Sequence, residues 1–239
     1  MINLSVNINK VALIRNSRGQ NQPDLVQFAK DCEMFGAQGI TVHPRPDERH
    51  VRFDDLPLLK NVVTTEFNIE GYPNEKFLSN VEAVGPHQCT LVPDPPGVLT
   101  SDEGWDTKSK QGFLKEVIER LHASNIRVSL FLDPDPELVR AAKDTGADRI
   151  ELYTGQYAKS YVSNKEEAIL PHRNAAEVAQ ELGLGLNAGH DLNLTNLKYY
   201  AEEIPGLKEV SIGHAIICDS LYYGIQNVIG MYRELLIVR

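Results

Sequence analysis

Residues 127–154 read RVSLFLDPDPELVRAAKDTGADRIELYT, and their pattern decides the fold. A short run rich in branched and aromatic residues (127–133) comes first. A helical pattern bounded by prolines and Gly146 follows, and then a second short run (149–154). Proline near the start and glycine just past the end are typical of a helix. Two strands joined by one helix form a βαβ unit, so this stretch predicts parallel strands.

The same alternation recurs along the whole chain. Eight strands are predicted, at LSVNI (4–8), GITVH (39–43), VTTEFNIE (63–70), QCTLV (88–92), RVSLFLD (127–133), RIELYT (149–154), LGLNAG (184–189) and EVSIGH (209–214). Helices are predicted at 23–36, 73–85, 112–124, 134–146, around 172–183, at 195–204 and at 219–236, with a shorter helix or turn near 54–62. Repeated βα units predict an α/β protein with a parallel sheet.

The length of 239 residues suits one domain, 1–239, built as a TIM (β/α)8 barrel. An open doubly wound sheet is the alternative. No GxGxxG follows the first strand and no GxxxxGK[ST] occurs, so the usual nucleotide-binding signatures of that fold are missing.

Composition narrows the class of protein. The net charge is −9, from 24 basic and 33 acidic residues, and no basic run predicts a nucleic-acid partner. No segment approaches the roughly 18 apolar residues of a membrane helix, and the first residues do not resemble a secretion signal. We therefore expect a cytoplasmic protein with no membrane partner. Its three cysteines are far apart and form no CxxC, so we expect buried thiols rather than disulfides or a zinc cluster.

A barrel carries its active groups at the carboxyl ends of its strands. These predicted ends are mostly polar, whereas the opposite ends are expected to show ordinary packing and turns. The segment TVHPRPDERH (41–50) follows one strand and combines two histidines, two arginines, two prolines and two acids. Histidine titrates near neutrality, so His43, His190 and His214, each after a strand, are candidates for proton transfer.

Two carboxylates join these candidates. Glu70 ends a strand, and burial in a barrel mouth would raise its pKa and make it a base near neutral pH. Glu151 lies on the sixth strand, either as a partner for a cation inside the barrel or as a functional group. Gly189 and Gly213 allow close backbone approach to a phosphate after the last two strands. Forked donors for phosphate are also available from Arg15, Arg18, Arg45 and Arg49.

The ordered segments together resemble the pyridoxine 5'-phosphate synthase family. They are VNINKVALIRNSRG, GITVHPRPDERH, FNIE, CTLVPDPPGVLTSDEGWD, VSLFLDPD, IELYTGQYA, LGLNAGHDL and SIGHAII, and they cover almost the whole chain. The resemblance implies a TIM (β/α)8 barrel with extra helical elements, assembled as an octamer of paired subunits. It implies an enzyme that joins 1-deoxy-D-xylulose 5-phosphate to 3-amino-2-oxopropyl phosphate and releases phosphate and water. No metal or cofactor is implied, and HxH and HExxH are absent from the sequence.

The resemblance also implies roles for individual residues. His43 would accept a proton, Glu70 would be a second general base, and His190 would donate a proton. Contacts to the aminoketone phosphate would come from Asn7 and Arg18. Contacts to the deoxyxylulose phosphate would come from Asn9, Lys10, Arg45, His50 and Thr100. Asp191, Gly213 and His214 would complete the phosphate and product contacts, and Glu151 matches a charged position of the family's barrel.

Two departures from the family pattern concern substrate binding. VNINK stands where VNIDH is usual, so Asn9 loses a charge and Lys10 replaces an imidazole. A substrate-binding role there survives better than a proton-transfer role. Asp191 stands where glycine is frequent, and a carboxylate close to a phosphate would not help binding.

Two other functions stay open at this point. Another phosphosugar barrel, such as an isomerase or aldolase, would share the architecture, although no predicted strand has a lysine near its catalytic end for a Schiff base. A non-catalytic phosphometabolite-binding protein would keep the arginines and glycines without needing His43, Glu70 and His190 together. The Tyr-rich closing helix is either a core helix or an interface.

Overall fold

The computed structural model describes residues 1–94 and 102–238, and its eight strands close into a barrel in which each strand runs parallel to the next. The strands are β1 (Asn3–Asn7), β2 (Gly39–Val42), β3 (Glu66–Gly71), β4 (Gln88–Leu91), β5 (Arg127–Leu132), β6 (Arg149–Tyr153), β7 (Gly185–Gly189) and β8 (Leu207–Ile212). All eight predicted strands are confirmed with small differences at their ends, and closure through the β1–β8 pair rules out the open sheet.

Helices follow every strand, and the described residues contain eleven of them. They are α1 (Asn9–Asn16), α2 (Leu25–Met34), α3 (Asp55–Lys60), α4 (Glu75–Val84), α5 (Gln111–Ala123), α6 (Pro136–Asp144), α7 (Gly155–Tyr161), α8 (Lys165–Glu181), α9 (Leu197–Glu203), α10 (His214–Tyr223) and α11 (Ile225–Leu235). Two helices rather than one follow β1, β6 and β8, which confirms the expected extra helical elements. Every helix in the described ranges is too short or too polar to cross a membrane.

The prediction of one closing helix at 219–236 is wrong. Two helices, α10 and α11, meet at Gly224, whose φ of 76° lies in the left-handed region that interrupts a right-handed helix. Helices α1 and α7 were not predicted either. The tyrosines of this closing region separate accordingly, because Tyr232 is fully buried whereas Tyr222 and Tyr223 are exposed.

Strand side chains alternate between two different environments. On β6, for example, Ile150 and Leu152 point outward into the apolar layer between sheet and helices, whereas Glu151 points into the barrel. The barrel interior is largely polar, and its apolar exception is a separate small cluster of Val92, Phe131 and Tyr153. Apolar packing against the helices therefore stabilises the outer face of the sheet, and polar side chains occupy the barrel interior.

The amino ends of the strands are more polar than expected. Inside the barrel, Arg127 forms an ion pair with Glu66, and Arg149 Nη1 lies 3.8 Å from Glu66 Oε1. Arg149 also donates to Asn187 Oδ1 over 3.3 Å. The expectation of ordinary packing there is wrong, because inward positions of β3, β5 and β6 carry charges that pair across the barrel. The expectation of buried thiols is confirmed for Cys32 and Cys89 and wrong for Cys218, which is exposed on α10.

Candidate active site

Three neighbouring strand ends bring together an amide, an imidazole and a carboxylate. Asn7 ends β1, His43 follows β2, and Glu70 lies near the end of β3. The Nδ1 atom of His43 is 3.9 Å from Glu70 Oε2, and Asn7 Nδ2 donates to the same oxygen over 3.4 Å. Burial raises the pKa of Glu70 to about 7, although the positive charges of His190 and Arg45 oppose the rise. Glu70 can therefore gain or lose a proton near neutral pH.

His43 is held by its backbone and kept neutral by its surroundings. Its amide donates to Asn9 Oδ1 over 2.9 Å, and its side chain is almost fully buried. Burial, followed by the charge of Arg45, lowers the pKa of His43 well below the usual value for imidazole. The imidazole is thus unprotonated at neutral pH and can accept a proton. Asn9 accepts this hydrogen bond through its side-chain oxygen, and an aspartate would provide an equivalent oxygen.

Arg45 and His50 lie beside this pair. Arg45 Nη2 donates to Asp94 Oδ2 over 2.8 Å, and both side chains are buried. The His50 ring meets the His43 ring edge-on, with 6.2 Å between centroids. Burial, together with nearby arginines, lowers the pKa of His50 to about 4. His43, Arg45 and Asp94 line one narrow cleft with Phe53 and Tyr72.

Side chains of α1 hold the segment after β2 by hydrogen bonds to its backbone carbonyl oxygens. Asn16 Nδ2 donates to the carbonyl oxygens of Glu48, Arg49 and His50, at distances from 2.7 to 3.4 Å. Arg15 donates to both carboxylate oxygens of Asp55, over 2.7 and 2.9 Å, and to the His50 carbonyl. Arg15 is therefore a buried structural residue, and the prediction that it offers a forked donor to phosphate is wrong.

Another histidine of the site follows β7. His190 Nδ1 lies 2.8 Å from Asp191 Oδ2, and its ring meets that of Tyr153 edge-on at 5.7 Å. The hydrogen bond with His190 holds the pKa of Asp191 below its usual value. His190 has a φ of 95°, which is rare for a residue with a side chain and aims its ring away from the strand direction. Asp191 thus orients His190.

Beneath these groups the barrel holds two more carboxyls. Glu151 and Glu209 share a layer with Asn187, which lies between them in the strand register. Burial raises the pKa of Glu151 well above its usual value and that of Glu209 to about 8. Asn187 Nδ2 donates to Glu209 Oε1 over 3.4 Å. The charges of Glu70 and Glu209 add to the effect of burial on the pKa of Glu151.

The other predicted residues lie at different distances from this cluster. Gly213 is packed against Asn7, and a Cβ atom there would come within 2.9 Å of Asn7 Cβ. His214 is exposed at the start of α10, with its Nε2 atom 3.5 Å from Cys218 Sγ. Lys10 and Arg18 are exposed on and just after α1, so the structure does not bring Arg18 into the buried cluster. Thr100 lies outside the described residues.

Two residues of the site were missed from sequence. Asp94 follows β4 directly, at a position where an acid after a strand end would have been the signal. Glu209 is a charged residue inside a strand, and its period-two spacing with Ser211 would have placed it in the barrel. The charge of Asp94 raises the pKa of Glu70, and the charge of Glu70 raises the pKa of Glu209.

Comparison with known proteins places this chain in a family. The chain matches the family model described as pyridoxal phosphate biosynthesis protein PdxJ over residues 4–237. A pyridoxine 5'-phosphate synthase from Cytophaga hutchinsonii is 58% identical over 236 residues, covering 98% of this chain and 99% of that protein. The protein of the same name from Parabacteroides distasonis is 54% identical, with 99% of each chain covered.

Solved structures with low sequence identity share the fold. A 3-keto-L-gulonate-6-phosphate decarboxylase from Vibrio cholerae matches with a TM-score of 0.67 at 10% identity, covering 98% of this chain and 97% of that one. A phosphoribosyl anthranilate isomerase from Thermotoga maritima matches with a TM-score of 0.61 at 13% identity, covering 99% and 98%. At these identities the likeness concerns the barrel alone. By its match along nearly the whole sequence, the chain belongs to the pyridoxal phosphate biosynthesis protein PdxJ family.

Proposed function

We propose that this chain is a pyridoxine 5'-phosphate synthase. It condenses 3-amino-2-oxopropyl phosphate with 1-deoxy-D-xylulose 5-phosphate, closes the pyridine ring, and releases inorganic phosphate and water. The names of its relatives support the activity. The observation that carries the proposal is the pair of buried His43 and mostly buried Glu70, 3.9 Å apart, in the same barrel mouth as Arg45.

The proton chemistry follows from the charge states of these groups. Condensing an amine with a ketone, losing water, eliminating phosphate and forming a carbon–carbon bond each move a proton. His43 is neutral at working pH and serves as proton acceptor, since its pKa is lowered by burial. Glu70 is the second general base, and it is close to half-ionised because its pKa is about 7. His190, oriented by Asp191, donates a proton from the opposite side.

Phosphate and substrate binding use the groups around this pair. Arg45 and His50, with Asn9 and Lys10 on α1 and Thr100, bind the deoxyxylulose phosphate. Asn7 and Arg18 bind the aminoketone phosphate. Gly213 and His214 precede or begin α10, where free backbone amides favour an anion. They contact phosphate or product together with the backbone, not the carboxylate, of Asp191. Glu151 lies beneath the reacting groups, where burial and the charge of Glu70 disfavour its ionised form.

Further proposals concern assembly and location. The chain works in the cytoplasm as one domain that assembles into a homo-octamer of paired subunits, with phosphorylated small molecules as its ligands. Exposed apolar side chains support the assembly, because such groups are usually covered by a partner when they are clustered. They occur on neighbouring helices, as Leu13 and Ile14 on α1 and Leu221, Tyr222 and Tyr223 on α10.

Product formation tests the activity. The purified protein is incubated with both phosphorylated substrates, and pyridoxine 5'-phosphate and inorganic phosphate are measured over time. We expect both products to appear in equal amounts and neither to appear when one substrate is omitted. Binding of both substrates without product would favour a binding protein. Conversion of one substrate alone would favour an isomerase or aldolase.

A further inference from the structure

Asp94 follows β4 at the point where this strand enters the barrel mouth. Two contacts fix the strand end, because Val92 N donates to Gly71 O over 3.1 Å and Trp105 Nε1 donates to Leu91 O over 3.0 Å. The Asp94 side chain is buried and lines the cleft shared by His43 and Arg45. A buried carboxylate at a fixed strand end has a defined position relative to its partner.

The partner is the guanidinium that the proposed function assigns to substrate phosphate. Arg45 Nη2 lies 2.8 Å from Asp94 Oδ2, and the two side chains are only 8% and 5% exposed. Charged hydrogen bonds between buried groups are short, directional and stronger than neutral ones. A flexible arginine on the proline-flanked segment after β2 is thereby held in one orientation before any ligand arrives, which lowers the entropy cost of binding.

We infer that Asp94 is a positioning residue of this site, which holds the Arg45 guanidinium beside the His43–Glu70 pair. This inference rests on the proposed function for the ligand that Arg45 meets. Asp94 acts through Arg45 and through its own charge, without touching the reacting atoms.

The charge of Asp94 also bears on Glu70. Arg45 and His190 hold the pKa of Glu70 down, whereas burial and Asp94 raise it. The other titratable groups facing Glu70 are Glu151 and Glu209 from β6 and β8, and His43 from β2. Removing the charge of Asp94 takes away a negative charge that raises the pKa of Glu70. It also leaves the positive charge of Arg45 uncompensated, which lowers that pKa further. The limb of the pH–rate profile that reports Glu70 then moves to lower pH.

The test compares Asp94→Asn with Asp54→Asn, which removes the same charge from an exposed position. For Asp94→Asn we expect the KM of one phosphorylated substrate to rise about tenfold. We also expect the Glu70 limb to move down by about 0.5 pH units or more. Infrared or ¹³C titration of the Glu70 carboxyl gives the same shift without any turnover. Asp54→Asn leaves both quantities unchanged.

The possible outcomes distinguish a failure of the proposed function from a failure of the role inferred for Asp94. A parent protein that makes no product overturns the proposed function, while the carboxyl titration still tests Asp94. An active parent with Asp94→Asn behaving like Asp54→Asn overturns the inference. If Asp94→Asn does not fold, Asp94→Glu decides: the charge is kept but displaced by one methylene, so we expect a raised KM with an unmoved limb. An unchanged KM in that variant also overturns the inference.

Discussion

Nδ1 of His43 lies 3.9 Å from Oε2 of Glu70, across the adjacent carboxyl ends of β2 and β3. Burial pushes the pKa values of these two groups in opposite directions, down for the imidazole and up toward 7 for the carboxyl. The usual ion pair of protonated histidine and carboxylate is therefore disfavoured at neutral pH. The pair instead offers a neutral base next to a carboxyl that exchanges its proton, which suits a reaction with several proton transfers.

The pH profile of kcat/KM should contain a limb near pH 7 that reports Glu70 in the free protein. Since a carboxyl ionises with little heat, this limb should hardly move between 15 and 35 °C, on the order of 0.1 pH units or less. An imidazole would move several times further. A limb with the strong temperature dependence of imidazole would contradict the assignment to Glu70.

Glu209→Gln should make the protein more stable at alkaline pH. Burial raises the pKa of Glu209 to about 8 from an unfolded value near 4.5, so the folded state binds the extra proton between these values. Stability therefore falls as pH rises through this window. The amide removes the buried charge and keeps an acceptor for Asn187. We expect a gain of about 1–3 kcal/mol at pH 9 and almost none at pH 4.

Urea unfolding at the two pH values measures this difference, with Glu119→Gln on the exposed surface of α5 as the control. Equal effects of Glu209→Gln at both pH values would contradict a raised pKa of Glu209 in the folded protein.

Asp191→Asn should lower kcat without weakening substrate binding. The Asp191 carboxylate orients His190 through a 2.8 Å contact, so its loss impairs proton donation. The same change removes a negative charge near the proposed phosphate contacts. Steady-state kinetics should show kcat reduced about tenfold or more, with KM unchanged or lower. Asp144→Asn, exposed at the end of α6, is the control; a raised KM in Asp191→Asn would indicate that Asp191 binds substrate directly.

Arg15→Met should destabilise the fold, whereas Arg18→Met should not. Arg15 forms two hydrogen bonds to the buried Asp55, so its removal leaves an uncompensated carboxylate. Urea unfolding should show a loss of about 3 kcal/mol or more. Arg18 is exposed, and its substitution should change stability by less than about 0.5 kcal/mol. Similar stability of both variants would contradict the structural role of Arg15.

The barrel could be predicted because its strands repeat a local pattern. Most strands combine branched residues facing the helices with a polar residue at or just after the carboxyl end, and both features are visible in the sequence. His43 and Glu70 were found for this reason. The raised pKa of Glu70 was also expected, from burial in the barrel mouth. The lowered pKa of His43 was not predicted, because the extent of its burial depends on packing between distant segments.

Structural features that have no signal in the neighbouring sequence were not predicted. Helix α1 begins after Ile8 and α7 after Thr154, and neither position provides a side-chain cap that would mark a helix start. Gly224 was read as part of a continuous helix, since a glycine in a helical pattern does not reveal its φ angle. Asp94 was missed because its role depends on Arg45, which lies 49 residues earlier in the chain.

Turnover of both phosphorylated substrates by the Glu70→Gln variant tests the central claim most directly, alongside the affinity of each substrate measured by calorimetry. The amide keeps the size of the side chain and removes its proton exchange. We expect product formation to fall at least about 100-fold while each Kd changes less than about threefold. Turnover close to that of the parent protein would contradict the assignment of Glu70 as a general base.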